Sequence, residues 1–225
     1  MTLRRTIATL SAALIFAIPI VAQTEHPLSG RKIAQVMGVG GADWLERPER
    51  ELEEHPDTAI AALSLKPGMM VADVGAGTGY FTLRIAKKVA PAGRVYAVDI
   101  QPEMISMLRK NASKAKISNV EYILGTESDP KLPARTLDVI IMVDVYHEFS
   151  QPQKMLENMR AALKDDGRLI LLEYRKEDPS VPIRLEHKMT VLEAKTEVEA
   201  EGFKLAEVLK TLPRQHILIF RKNIQ

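Results

Sequence analysis

Met69-Met70-Val71-Ala72-Asp73-Val74-Gly75-Ala76-Gly77-Thr78-Gly79 is the stretch that decides the fold. Its first six residues form a short apolar run behind the turn Lys66-Pro67-Gly68, the pattern of a buried strand. Three glycines then alternate with Ala76 and Thr78. From Thr78 to Val89 the apolar residues Phe81, Ile85 and Val89 recur every four positions, which predicts a helix. Glycines let the backbone turn sharply and lie close to a ligand. The helix N-terminus behind them offers unpaired N–H donors. Strand, glycine loop and helix in this order predict a nucleotide site.

Working outward, the same alternation repeats. Arg94–Asp99 reads as a second strand, and Pro102 opens a helix with Met104, Ile105 and Leu108 on one face. Val120–Leu124 is a third strand. Leu137–Val145 is a fourth, apolar almost throughout and so expected to be buried on both faces. Ser150 is expected to cap the next helix, and Arg168–Tyr174 is a fifth strand. Strict alternation means right-handed crossovers and a parallel sheet with helices on both sides. The end of the chain breaks the rhythm. Thr190-Val191-Leu192-Glu193 is a capping box for a helix to about Glu201, which Gly202 stops. Phe203–Leu212 and Gln215–Arg221 then join at Pro213-Arg214, a connection short enough only for antiparallel neighbours. The expected fold class is α/β, a Rossmann-like three-layer sandwich. Its seven-stranded sheet is mostly parallel, with an antiparallel C-terminal strand pair.

Residues 23–58 read as an N-terminal arm, and residues 59–225 as the main domain. The arm carries Gly38, Gly40 and Gly41 and the chain's only Trp, Trp44, set among charges. Pro48 suits the start of a helix to about Glu54, and Asp57 is expected to cap a second one to Leu65. The arm is expected either to brace the domain or to close over its ligand. Residues 1–22 read as a signal peptide: Arg4 and Arg5, then an uncharged run from Thr6 to Ala22 with Pro19 near its end. Export to the periplasm or medium is the expectation, with an uncleaved membrane anchor over 6–22 as the alternative.

Charge and cysteine usage narrow the chemistry. Setting Arg4 and Arg5 apart from the 31 basic residues leaves 29 against 29 acidic ones, so the body is neutral. A nucleic-acid partner is therefore not expected, because phosphate neutralisation dominates such binding. With no cysteine there is no thiol nucleophile, no thiolate metal site and no thiol ligation of arsenic.

Twenty residues beyond Gly79, Asp99 ends the second strand, where a carboxylate can accept from both hydroxyls of a ribose. No Gly-Lys-Ser/Thr follows the loop, so it is not a P-loop. Tyr80 stands where a dinucleotide fingerprint would have its third glycine. The Gly-x-Gly-x-Gly spacing behind Asp73, together with Asp99 and the antiparallel last strands, resembles class I S-adenosylmethionine-dependent methyltransferases. That resemblance covers about residues 59–225. It implies S-adenosyl-L-methionine as cofactor, with its methionine part against Gly75, Gly77 and Gly79 and its ribose on Asp99. It also implies that Asp73 orders the loop or the cofactor's amino group. Gly125-Thr126-Glu127-Ser128-Asp129 follows the third strand where the family often has Gly-Asp-Ala, so Thr126 and Glu127 are the candidates for the adenine pocket.

Ligand crevices in such sheets lie at the carboxyl ends of the strands. After the fourth strand comes Val143-Asp144-Val145-Tyr146-His147-Glu148-Phe149, and beyond the fifth Arg184-x-x-His187-x-Met189-Thr190. Both resemble small-molecule methyltransferases, including the ubiquinone/menaquinone-biosynthesis type, which implies a small-molecule acceptor. His147 is the candidate general base, because imidazole titrates near ~6.5. Asp144 is expected to orient it or the cofactor, and Tyr146 to position the acceptor. A metal held by Asp144, His147 and Glu173 is a lesser alternative. Two other functions fit the residues: a nicotinamide-dependent oxidoreductase, or a non-catalytic nucleotide-binding module.

Overall fold

The computed structural model describes residues 24–223, so the proposed signal segment lies outside the described residues. The arm contributes two short helices, α1 (Ala42–Leu45) and α2 (Arg50–Glu54), and a third, α3 (Pro56–Ala62), runs from it into the main domain. The alternating region follows: β1 (Met70–Val74), α4 (Tyr80–Val89), β2 (Arg94–Asp99), α5 (Pro102–Lys114), β3 (Val120–Leu124), β4 (Leu137–Val143), α6 (Pro152–Ala162) and β5 (Leu163–Tyr174). The chain closes with α7 (Val191–Ala200), β6 (Phe203–Leu209) and β7 (Gln215–Lys222). The seven strands form one sheet in the order β3-β2-β1-β4-β5-β7-β6. Five run parallel, and β7 lies antiparallel to both β5 and β6. The expected fold class is therefore the observed one.

Period-two alternation in the central strands builds two core layers. Ile140, Met142, Leu169 and Leu171 point to one face, where they meet Met155, Leu156 and Met159 of α6. Val139, Ile141, Ile170 and Leu172 point to the other, where they meet Ile60 of α3 and Ile85 and Val89 of α4. These eight strand side chains are 0% exposed, which is why β4 and β5 read as unbroken apolar runs.

Several element ends differ from the expectation, each for a local reason. Asp144 takes a left-handed φ of 51°, which stops β4 at Val143 instead of Val145. Ser150 does not cap α6: its hydroxyl donates to Glu127 at 2.9 Å, and Gln151 precedes the helix without a side-chain bond. Asp57 falls inside the first turn of α3, because Pro56 starts that helix two residues earlier, with His55 in the cap position. The capping box of α7 is present as expected, Thr190 and Glu193 each bonding the other's backbone N–H. β5 begins at Leu163, five residues before the expected start, and β6 ends at Leu209 instead of Leu212. Among the described residues, no helix is long and apolar enough to cross a membrane.

Candidate functional site

β1 pairs with β2 on one side and β4 on the other, so successive crossovers leave it in opposite directions. The carboxyl ends on either side of such a strand splay open into a crevice. Here that crevice is a cleft lined by Gly75, Gly77, Asp99, Thr126, Glu127 and Asp144.

The glycine loop forms its floor. Gly75, Gly77 and Gly79 all have left-handed φ, at 77°, 53° and 95°. At Gly75 the need is also steric, because a Cβ would drive into the Val145 side chain after β4. Gly75 and Ala76 donate their N–H groups to Val98 O at 2.9 Å, tying the loop to β2. Gly77 N–H donates to Asp99 Oδ2 at 2.9 Å, and Gln101 N–H to Asp99 Oδ1 at 2.9 Å. Burial nonetheless raises the Asp99 pKa above the ordinary carboxylate value. Thr126 and Glu127 line the same cleft, Glu127 accepting the Ser150 hydroxyl. Asp73 stands one layer deeper. It is fully buried, accepts the Thr82 hydroxyl at 2.6 Å, and faces a small cavity shared with Arg50. Desolvation pushes its pKa up to about 6.

The residues after β4 separate into different roles. Asp144 lines the cleft, but Gln215 holds it: the side-chain amide donates to Oδ2 at 2.6 Å. Its Oδ1 is buried with no hydrogen-bond partner. Burial first, then the negative charges of Glu54 and Glu173, raise its pKa well above the usual range. Asp144 therefore does not orient His147. Glu173 does, meeting His147 Nδ1 at 2.6 Å, while His147 Nε2 lies 3.1 Å from His187 Nδ1. His147 is 2% exposed and stands behind the cleft wall. Glu148, which the sequence reading passed over, is the member of this turn that reaches the cleft, and burial raises its pKa to about 7. Tyr146 does not reach the cleft: it is 0% exposed, its ring packs edge-on to Phe149, and its hydroxyl makes no hydrogen bond. The metal set Asp144, His147 and Glu173 is not assembled either, since Glu173 bonds the far side of the His147 ring and Asp144 bonds Gln215.

The arm both braces this turn and walls the cleft. Arg31 makes a two-point ion pair with buried Glu197 of α7, at 3.0 Å for both contacts, and donates to His147 O at 2.9 Å. Ala34 N–H donates to the same carbonyl at 3.0 Å. Met37 N–H donates to Glu148 Oε1 at 3.2 Å and Met37 O accepts from Gln101 at 3.0 Å, while Val36, Met37 and Leu45 line the cleft. Arg50 pairs with Glu54 within α2 at 2.8 Å, and Tyr174 donates to Glu54 at 3.1 Å. The i, i+4 spacing of Arg50 and Glu54 was a readable signal for this pair. Nothing local marks Arg31 and Glu197, which lie 166 residues apart.

The residues present fit a nucleoside-bearing cation. A carboxylate at the end of β2 faces a glycine floor, and a buried carboxyl oxygen of Asp144 at the cleft wall lacks a donor of its own. Comparison with known proteins points the same way. The ubiquinone/menaquinone biosynthesis C-methyltransferase UbiE of Pasteurella multocida is 30% identical over 166 residues, covering 71% of this chain and 62% of that protein. An arsenite methyltransferase of Halobacterium salinarum is 31% identical over 54% of this chain and 30% of that protein. The chain thus spans less than two thirds of the length of these relatives. A crystal structure of a SAM-dependent methyltransferase from Aquifex aeolicus superposes with a TM-score of 0.78 at 28% identity, covering 82% of this chain and 98% of that one. Fold and relatives together imply S-adenosylmethionine as the cofactor and leave the nicotinamide alternative without support. The family described as "Methyltransferase domain" matches residues 65–215, the span that holds the sheet, the glycine loop, Asp99 and the turn after β4, and the chain belongs to that family.

Proposed function

We propose that the protein binds S-adenosylmethionine in the cleft and transfers a methyl group to a small-molecule acceptor. One observation carries the reading: the glycine floor, the Asp99 carboxylate and the loop of Thr126 and Glu127 line one cleft at the switch point of the sheet. When bound, the cofactor supplies a methyl group on a sulfonium. Asp99 would hold the ribose, and the floor at Gly75 and Gly77 would lie against the methionine part. The free oxygen of Asp144 offers an unpaired hydrogen-bonding group at the cleft wall. Asp73 supports the loop from beneath. His147 acts as a positioning group: Glu173 fixes its ring, and its carbonyl anchors Arg31 and Ala34 of the arm.

The arm closes the cleft with Val36, Met37 and Leu45, which favours a compact, partly apolar acceptor over a polymer. In this reading residues 23–58 serve as a lid to the domain of residues 59–225. The neutral body supports the same choice. The absence of cysteine closes the chain to thiol ligation of arsenic. Export by residues 1–22 belongs to the same proposal, and its support is the charge and hydropathy pattern of that segment. Calorimetry on the protein from Gln23 onward tests the core of it. Saturable binding of S-adenosylmethionine and S-adenosylhomocysteine is expected. Absence of both, or saturable binding of NAD instead, overturns the reading.

A further inference from the structure

Three ligand-type groups beside the cleft converge on one point. His147 Nε2 and His187 Nδ1 are 3.1 Å apart, and Glu148 Oε1 lies 4.0 Å from the first and 3.9 Å from the second. The centre of a triangle with those three sides is about 2.2 Å from each corner, at the upper end of zinc–nitrogen and zinc–oxygen bond lengths of about 2.0–2.2 Å. The Glu148 oxygen accepts the Met37 N–H at 3.2 Å and stands too far from either ring nitrogen for a hydrogen bond, so its approach to the imidazoles is not a direct bond to them. Glu173 meets Nδ1 of His147 at 2.6 Å. A carboxylate there takes an Nδ1–H and leaves Nε2 with a lone pair, which can either accept from His187 Nδ1–H or bind an ion. The site is inset, with His147 and Glu148 buried and the His187 side chain 27% exposed. The turns Tyr146–Glu148 and Leu185–His187 supply all three groups and pack against each other.

We propose that His147, Glu148 and His187 form a binding site for one divalent transition-metal ion of the zinc type, with Glu173 fixing the first ligand. Two imidazoles and one carboxylate suit such an ion, whereas Mg²⁺ favours an all-oxygen set. Three protein ligands leave at least one position for water or for an oxygen, nitrogen or sulfur donor of a bound molecule. Glu148 belongs to both the cluster and the cleft, so that position lies at the cleft wall. The donor set differs from the one the sequence suggested: Glu148 and His187 replace Asp144 and Glu173 as ligands. The inference does not rest on methyl-donor binding.

The test uses untagged protein, stripped with a chelator and titrated by calorimetry with Zn²⁺, and with Co²⁺ followed by visible absorption. One equivalent of either ion is expected, with Co²⁺ giving a spectrum of nitrogen and oxygen ligation. His187→Ala and Glu148→Gln should each weaken binding at least tenfold, and Glu173→Gln by about 10- to 100-fold. His187 is partly exposed, so its variant should keep the fold, which circular dichroism and the melting temperature check. No saturable Zn²⁺ binding by the unsubstituted protein, or unchanged affinity in His187→Ala, overturns the site. Mg²⁺ binding as tight as Zn²⁺ overturns the assignment of the ion. S-adenosylhomocysteine titrated into the same sample separates the two readings. If S-adenosylhomocysteine binds and Zn²⁺ fails to bind, the metal site alone falls; if Zn²⁺ binds and S-adenosylhomocysteine fails to bind, the methyl-donor reading alone falls.

Discussion

At Asp99 each carboxylate oxygen accepts one backbone N–H, from Gly77 or Gln101, and keeps lone-pair capacity for a ligand. Asp99→Ala should therefore weaken S-adenosylmethionine binding by up to two charge-assisted hydrogen bonds, roughly 1.5–3 kcal/mol each. Calorimetry reads the change directly, and unchanged affinity would mean the ribose is held elsewhere. Asp73 makes a different, pH-dependent prediction. It is faced by Thr82, Arg50 and Asp99, and its folded-state pKa of about 6 lies above the ordinary 3.8 because burial outweighs the Thr82 hydrogen bond and Arg50. Between those values the folded state binds more protons than the unfolded one, so stability falls as pH rises. The loss amounts to the order of 3 kcal/mol. Asp73→Asn should flatten that fall, as denaturant midpoints measured from about pH 4 to 7 would show. A parallel decline in both proteins would place the titration on another group. At this scale the sequence was legible for most of the backbone motif: Gly75, Gly77, Asp99, Thr126 and Glu127 line the cleft, whereas Gly79, packed against Leu108 at the start of α4, does not. It was less so after β4. Which of Asp144, Tyr146, His147 and Glu148 faces the cleft depends on a left-handed Asp144 and a single 3₁₀ turn. No periodicity encodes either.

The elements show the same contrast between local and distant information. Helices and strands announce themselves through their own periodicity, and α7 through its capping box. The docking of the arm depends on Arg31 meeting Glu197, a pairing that only the folded chain creates. Both side chains are essentially buried, at 1% and 0% exposure, and His26 lies 3.6 Å from the same carboxylate. Breaking such a pair on one side strands a buried charge, at a cost of about 3–5 kcal/mol. Arg31→Ala should therefore lower the melting temperature. It should also loosen the turn that carries His147, whose carbonyl loses a donor. Replacing both partners with Met should recover much of the stability, because the uncompensated charge is gone. A double variant no better than the single one would show that the hydrogen bond to the turn, not the ion pair, holds the arm in place.

At the scale of the whole molecule, the parallel run of β1 to β5 follows from strict alternation of strand and helix, and the antiparallel pairing of β6 and β7 from their short join, whereas the order of the strands is set only by the folded chain. Charge works at this scale too. The surplus of two positive charges belongs to Arg4 and Arg5, and the body from Gln23 onward is balanced. The arm begins its contacts almost immediately after that point: Ile33 N–H donates to Thr24 O at 3.0 Å, and Glu25 bridges to Lys32. Those contacts involve no residue of the proposed export segment 1–22. Expressed with its leader in a bacterium, the protein should be found outside the cytoplasm with Gln23 as its first residue, by fractionation and N-terminal mass spectrometry. A membrane-bound product still beginning at Met1 would make residues 6–22 an anchor. A cytoplasmic one would return the site to the compartment where the methyl donor is made. The experiment thus decides where the cleft meets its donor, which no residue inside the cleft can decide.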